Sequence, residues 1–271
     1  MAALHAAAPD GVLVTGDFAT AATLPRWLRA YRRMTDRPLF FILGNHDFWG
    51  GGVAEVRQEV RRLSADTAGL VYLTGADPVT LAPGVALVGH DGWYDARSGR
   101  WDAPRFRMQD WDQVADFAAA AGHEGIAAVA RGLADAAEAD LIPKVEAAAR
   151  RHGTVLVATH VPPWPLPPGS RRHPDGEWIA PWYVAERLGH ALERTAAAHP
   201  AVTFRVMAGH AHVRRDGMTI APNLACDVGG AQYGTPGIER VVELGERGTG
   251  NGERGGAGGG PLPAPRSPLP V

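Results

Sequence analysis

The chain has 271 residues, 45% of them hydrophobic, enough for one sizeable core and at most two small domains. Its 27 basic and 29 acidic side chains leave a formal net charge of -2 without a long basic stripe, which argues against a nucleic-acid partner. The single cysteine, Cys226 in "NLACDVGG", excludes an internal disulfide framework and reads as a small buried residue.

The N-terminal MAALHAAAPDG lacks the basic start and long apolar run of a signal peptide, and no stretch approaches the ~20 apolar residues that span a bilayer. With the lone cysteine, this predicts a cytoplasmic setting. Val12–Thr15 reads as a buried strand that opens into Gly16-Asp17. A helix is expected from about Ala19 to Met34, a second buried strand over Pro38–Leu43, and an amphipathic helix over Val53–Leu63. Strand, helix, strand, helix favours a parallel sheet with crossover helices.

Val71–Leu73, Val79–Leu81 and Val85–Val88 are short strands separated by turn residues, a spacing that predicts antiparallel hairpins. Residues 91–112 are irregular and rich in Trp, Arg and Asp, as in a long functional loop. Ala115–Arg151 is helical, with a break near Gly122–Gly125 and a kink at Pro143. Thr154–Thr159 is a strand that ends at His160, followed by a Pro-rich loop and a helix from about Trp182 to Ala198. Val202–Met207 is a strand that ends in GHAH; Met218–Ala225 and Val241–Leu244 are expected as further strands. The domain is expected to span 1–245, and the Gly/Pro-rich residues 246–271 to be a disordered tail.

Four strands thus end in Gly16-Asp17, Gly44-Asn45-His46-Asp47, Thr159-His160 and Gly209-His210-Ala211-His212. Ligands in open α/β sheets sit at the carboxyl ends of strands, so these four ends can gather into one site. The set is nitrogen and hard oxygen without thiolate, which suits Mn, Fe or Zn and argues against Cu(I) or a structural zinc knuckle. Two ions about 3.5–4 Å apart would form the clamp used for in-line displacement at phosphorus.

Taken together and in order, these motifs resemble the calcineurin-like metallophosphoesterases over about residues 5–245. The resemblance implies an α/β fold, an αββα sandwich of two mixed β-sheets flanked by helices. It implies two divalent metal ions, with Asp17 bridging them, Asn45, His160 and His210 completing one shell, and His212 on the other. His46 would protonate the leaving oxygen or hold transition-state charge, with Asp47 orienting it. The implied activity is hydrolysis of a phosphoric mono- or diester, most simply of a small molecule, by attack of metal-bound hydroxide on phosphorus.

One part of the family pattern is missing. The family opens with a strand ending in Asp-x-His, which supplies most of one metal's shell, and nothing before Asp17 matches it. His5 and Asp10 read instead as a helix residue and a Pro-Asp-Gly turn. Either the sequence begins downstream of that strand, the favoured explanation, or the protein is a degraded member with one metal or none, a pseudoenzyme or binding module. His90, Trp93 and Tyr94 are candidates for substrate contact together with Asp91. Arg171, Arg172 and His173 are candidates for contact with substrate phosphates, although a solvated basic turn is the commoner outcome for such a run. Trp164 is either a lid residue or a core cover.

Overall fold

The short β-branched run Val12–Thr15 (β1) lies parallel to Leu39–Ile42 (β2), which in turn lies parallel to Leu70–Tyr72 (β3). The computed structural model describes residues 2–102, 107–166, 176–232 and 237–244. A second sheet has the order β4-β5-β6-β7-β9-β8, from Val79–Ala82, Val85–His90, Thr154–Thr159, Thr203–Ala208, Leu224–Val228 and Arg215–Ala221. Its four central strands, β5, β6, β7 and β9, are mutually parallel, and β4 and β8 close the edges antiparallel. Of the two sheets, therefore, only this one is mixed; the described strands of the first are all parallel.

The sheets pack face to face. Ile42, Leu73, Leu87, Leu156 and Ala158 form the seam, with Leu13, Phe40 and Val71 against them. At Gly89 the layers come so close that a Cβ would stand 2.9 Å from Leu73. All six residues of β5 are buried, as expected of a strand covered on both faces.

Helices cover the outer faces, giving the αββα sandwich. Leu24–Arg33 (α2, after α1 at Ala2–Ala7) starts with Pro25 in its first turn, where a missing N–H costs nothing, and buries Leu24 and Leu28. Val53–Ala65 (α3) buries Val53, Val56, Val60 and Leu63, one stripe at helical spacing. Two short helices, Asp110–Gln113 (α4) and Ala115–Ala118 (α5), precede the 28-residue Gly122–Ala149 (α6). Alanines 127, 130, 134, 137 and 148 line the buried face of α6, which lets it approach β5 and Glu186–Ala198 (α8). Gly176–Ile179 (α7) precedes α8.

Several expectations change in detail. β3 is not part of an antiparallel hairpin: it joins the first sheet in parallel after the α3 crossover. Met218–Ala225 is two strands, split by the Pro222-Asn223 turn. Val241–Leu244 is not a strand, though Leu244 still packs on the seam between the sheets. α6 starts at Gly122, at the break the sequence suggests, and contains Pro143. Cys226 is fully buried, and burial, with Asp227 beside it, pushes its thiol up to about 12, so it is inert as a nucleophile. No helix among the described residues is long and apolar enough to cross a membrane. The tail beyond Leu244, and Arg171, Arg172 and His173, lie outside the described residues.

Candidate metal centre

Asp17 follows β1, Asn45 follows β2, His160 follows β6 and His210 follows β7. Two strands come from each sheet, so the site straddles the mouth of the sandwich. Three close contacts join these side chains. His160 Nε2 is 3.1 Å from Asn45 Oδ1 and 3.4 Å from Asp17 Oδ1, and His210 Nδ1 is 3.0 Å from the same Asn45 oxygen.

The outer atoms of each group fix what its inner atoms present. The far ring nitrogen of His160, Nδ1, is 2.7 Å from the carbonyl oxygen of Thr15, which can only accept, so this nitrogen carries a hydrogen. His210 Nε2 likewise donates to the carbonyl of Trp182 at 3.1 Å. Asn45 Nδ2 donates to Asp110 Oδ1 at 2.8 Å, which sets the amide so that its oxygen faces the histidines. Burial holds the His210 ring down to about 3, against the pull of Asp17, so it is neutral at neutral pH and its Nδ1 is a bare lone pair. Lone pair faces lone pair between His210 Nδ1 and Asn45 Oδ1.

Such a contact is repulsive unless a cation lies within reach of both atoms. The donor set fits one: a carboxylate, an amide oxygen and two imidazoles, each imidazole anchored through its other nitrogen, as metal-bound histidines are. The spacings fit as well, since ligands about 2.1 Å from an ion stand about 3.0 Å apart in an octahedron and about 3.4 Å in a tetrahedron. Among the described residues no three His, Cys, Asp or Glu side chains form a metal cage by themselves. The amide oxygen of Asn45 is at the centre of the cluster.

The backbone around the site is tightly built. Gly16, with φ +99°, and Gly44 lie back to back: a Cβ on Gly16 would stand 2.4 Å from Gly44 N, and one on Gly44 would stand 2.1 Å from Asp17 Oδ1. Asp17, His210 and His212 have left-handed backbones, φ +62°, +62° and +50°, a cost of order 1 kcal/mol or more each that the surrounding contacts must impose. Burial alone would raise the Asp17 carboxyl, but the imidazoles of His160 and His46 and the backbone N–H of His46 overcome it and hold it low.

His46 is half-buried, its ring stacked on Trp49 at 3.9 Å between centroids, and its backbone N–H donates to Asp17 Oδ1 at 3.2 Å. His212, two residues after His210, is half-buried on the same loop. Asp47 is placed differently from expectation. Its carboxylate is fully buried and accepts the backbone N–H groups of Asp17, Ala19 and Gly44 at 2.8–2.9 Å, so it clamps the β1 loop to the β2 loop. Burial, then the charge of Asp17, push its carboxyl well above the usual range, and the three N–H groups oppose them.

The structure also moves the residues expected at the substrate. Trp93 and Tyr94 are core side chains; Tyr94 packs against Trp182 and Phe117 and lies behind His210. His90 is buried, its Nδ1 accepting the N–H of Gly92. Asp91 is a buried node that accepts from Leu43 N, Thr74 Oγ1, Arg57 Nε and the Tyr72 hydroxyl, and these contacts tie both sheets together. Trp164 is a core cover bonded to Glu193. Asp10 is exposed, and the side chain of His5 lies outside the described residues. Asp110 was not anticipated; nothing in "RMQDWDQ" marks it.

Residues 1–214 match the family model for calcineurin-like phosphoesterases. The chain belongs to the calcineurin-like phosphoesterase family. At the level of the family it is a metal-dependent phosphoesterase. Among solved structures it is similar to a dimetal phosphatase from Danio rerio, with a TM-score of 0.50 and 15% identity, covering 83% of this chain and 73% of that one. At that identity the likeness shows the shared phosphoesterase fold. No curated protein matches.

Proposed function

We propose that this phosphoesterase holds a divalent cation with Asp17, Asn45, His160 and His210 and hydrolyses phosphoric mono- or diesters of small molecules. The observation that carries the proposal is the lone-pair contact of 3.0 Å between His210 Nδ1 and Asn45 Oδ1, which burial of a neutral ring leaves without a proton. A bound divalent cation supplies Lewis acidity toward a phosphoryl oxygen and acidifies the attacking water. Asp17 contributes the negative charge of the cradle, and Thr15 and Trp182 fix the tautomers that aim His160 and His210 inward. His46, partly open to solvent and backed by Trp49, delivers a proton to the leaving oxygen. His212 and Asp17 would be the ligands of a second ion, and among the described residues no further ligand for it is identified.

That asymmetry favours a second reading, a binding module with one ion and no turnover. One experiment separates them. Metal-stripped protein is titrated with Mn²⁺ by calorimetry, and hydrolysis of an aryl phosphate and a bis-aryl phosphate is followed in parallel. The first reading expects at least one equivalent bound, turnover, and loss of both in His210→Ala. Binding without turnover supports the module; no binding by the parent protein refutes both.

A further inference from the structure

Asp110 is the first residue of α4 and is completely buried, 65 residues along the chain from Asn45. One of its oxygens, Oδ1, takes two hydrogens: from Asn45 Nδ2 at 2.8 Å and from the indole Nε1 of Trp49 at 2.7 Å. The indole face of Trp49 in turn carries the ring of His46, 3.9 Å away and 26° from parallel. We propose that Asp110 is the positioning residue of this centre, holding Asn45 oxygen-inward and, through Trp49, holding His46 in place.

The argument is about which way an amide turns. Left alone, Asn45 would gain by flipping, because its NH₂ would then donate to His210 Nδ1 and His160 Nε2 and remove the lone-pair repulsion. That flipped state is well bonded and useless to a cation. Asp110 forbids it: a carboxylate only accepts, so the flip would set two acceptors against each other at 2.8 Å in a buried site. The carboxylate thus converts a stable, closed cluster into one that presents an oxygen. Its other oxygen, Oδ2, is buried, and the buried hydroxyl of Tyr94 lies beside the carboxylate, its ionisation pushed up by burial and by Asp110. Both oxygens therefore face the interior, and no solvent reaches the carboxylate to relax the constraint.

The inference rests on the proposal that Asn45 holds a cation, and the test keeps the two apart. Mn²⁺ affinity is measured by calorimetry for the full chain and for Asp110→Ala, Asp110→Asn and Trp49→Phe, each checked for fold by circular dichroism. Asp110→Ala is expected to bind about 10- to 100-fold more weakly. Asp110→Asn, whose amide oxygen can accept from both Asn45 and Trp49, is expected to stay within a few-fold of the parent. Trp49→Phe is expected to bind Mn²⁺ as the parent does while kcat falls and the pH–rate profile shifts. Should Asp110→Ala not fold, Asp110→Ser carries the same comparison. Parent-like affinity in the folded Ala or Ser variant overturns the role, and so does an Asn variant as weak as Ala. An unchanged kcat and pH profile in Trp49→Phe overturns the part concerning His46. If the parent itself binds no Mn²⁺, the cation proposal fails first and this inference falls with it.

Discussion

A methyl group at position 44 would stand 2.1 Å from Asp17 Oδ1 and 2.6 Å from Asp17 N, both part of a loop already held by the Asp47 clamp. Gly44→Ala should therefore push Asp17 out of the cluster while most of the core stays intact. The expected result is at least a tenfold loss of Mn²⁺ affinity with a native-like circular dichroism spectrum. A second residue-scale prediction concerns His90, which burial pulls down from its usual 6.5 to about 4. The folded state then binds fewer protons than the unfolded state between those values, so stability is complete above pH 6.5 and declines as pH falls toward 4. The full effect is about 3 kcal/mol. Melting curves from pH 7.5 to 4.5 should show this slope in the parent protein and a shallower one in His90→Asn, whose amide oxygen takes the place of Nδ1 and can still accept from Gly92. The four clustered side chains were legible in the sequence because each follows an apolar run by one or two residues. Asp110 was not, because its role is a contact across 65 residues with no motif around it.

At the scale of elements, apolar runs mark most of the strands, Val241–Leu244 being an exception, but they do not mark the strands' partners. β3 sits next in sequence to the β4–β5 hairpin, so short spacing suggested antiparallel pairing; the α3 crossover places it in the other sheet instead. What joins the two sheets at their functional end is polar and invisible to periodicity. Asp91, after β5, accepts from Leu43 after β2, from Tyr72 of β3 and from Arg57 of α3, and its main-chain oxygen takes the N–H of His160 after β6. Burial would raise the Asp91 carboxyl, but Arg57, His90 and these hydrogen bonds hold it below the usual range. Replacing Arg57 by methionine keeps the aliphatic stem and removes the charge, leaving an ionised carboxylate buried without its cation. The expected cost is about 3–5 kcal/mol in denaturant unfolding at neutral pH. A loss under 1 kcal/mol would mean that the hydroxyl and amide donors suffice without Arg57.

For the molecule as a whole, the sandwich is two sheets held by an apolar seam and joined at one end by the site. Order of elements and strand-end motifs made the αββα architecture legible, since few folds bring four such ends together. The number of parallel strands in each sheet was not legible, because it depends on how far each crossover carries the chain. With Asp17 and Asn45 on one sheet and His160 and His210 on the other, the cation proposed for the cradle would cross-link the layers. A cation that bound only the folded arrangement would stabilise the fold by mass action, about 2.7 kcal/mol when present at 100 times its dissociation constant. In a domain of this size each kcal/mol shifts the melting point by about 2–4 °C, so Mn²⁺ should raise Tm by about 5–10 °C and EDTA should reverse it. Asn45→Ala removes the oxygen shared by both histidines and should melt at one temperature whether Mn²⁺ is present or not. An equal rise in parent and variant would place the ion elsewhere on the protein. A rise in the parent alone would show that the four strand ends act as one site on which the stability of both sheets depends.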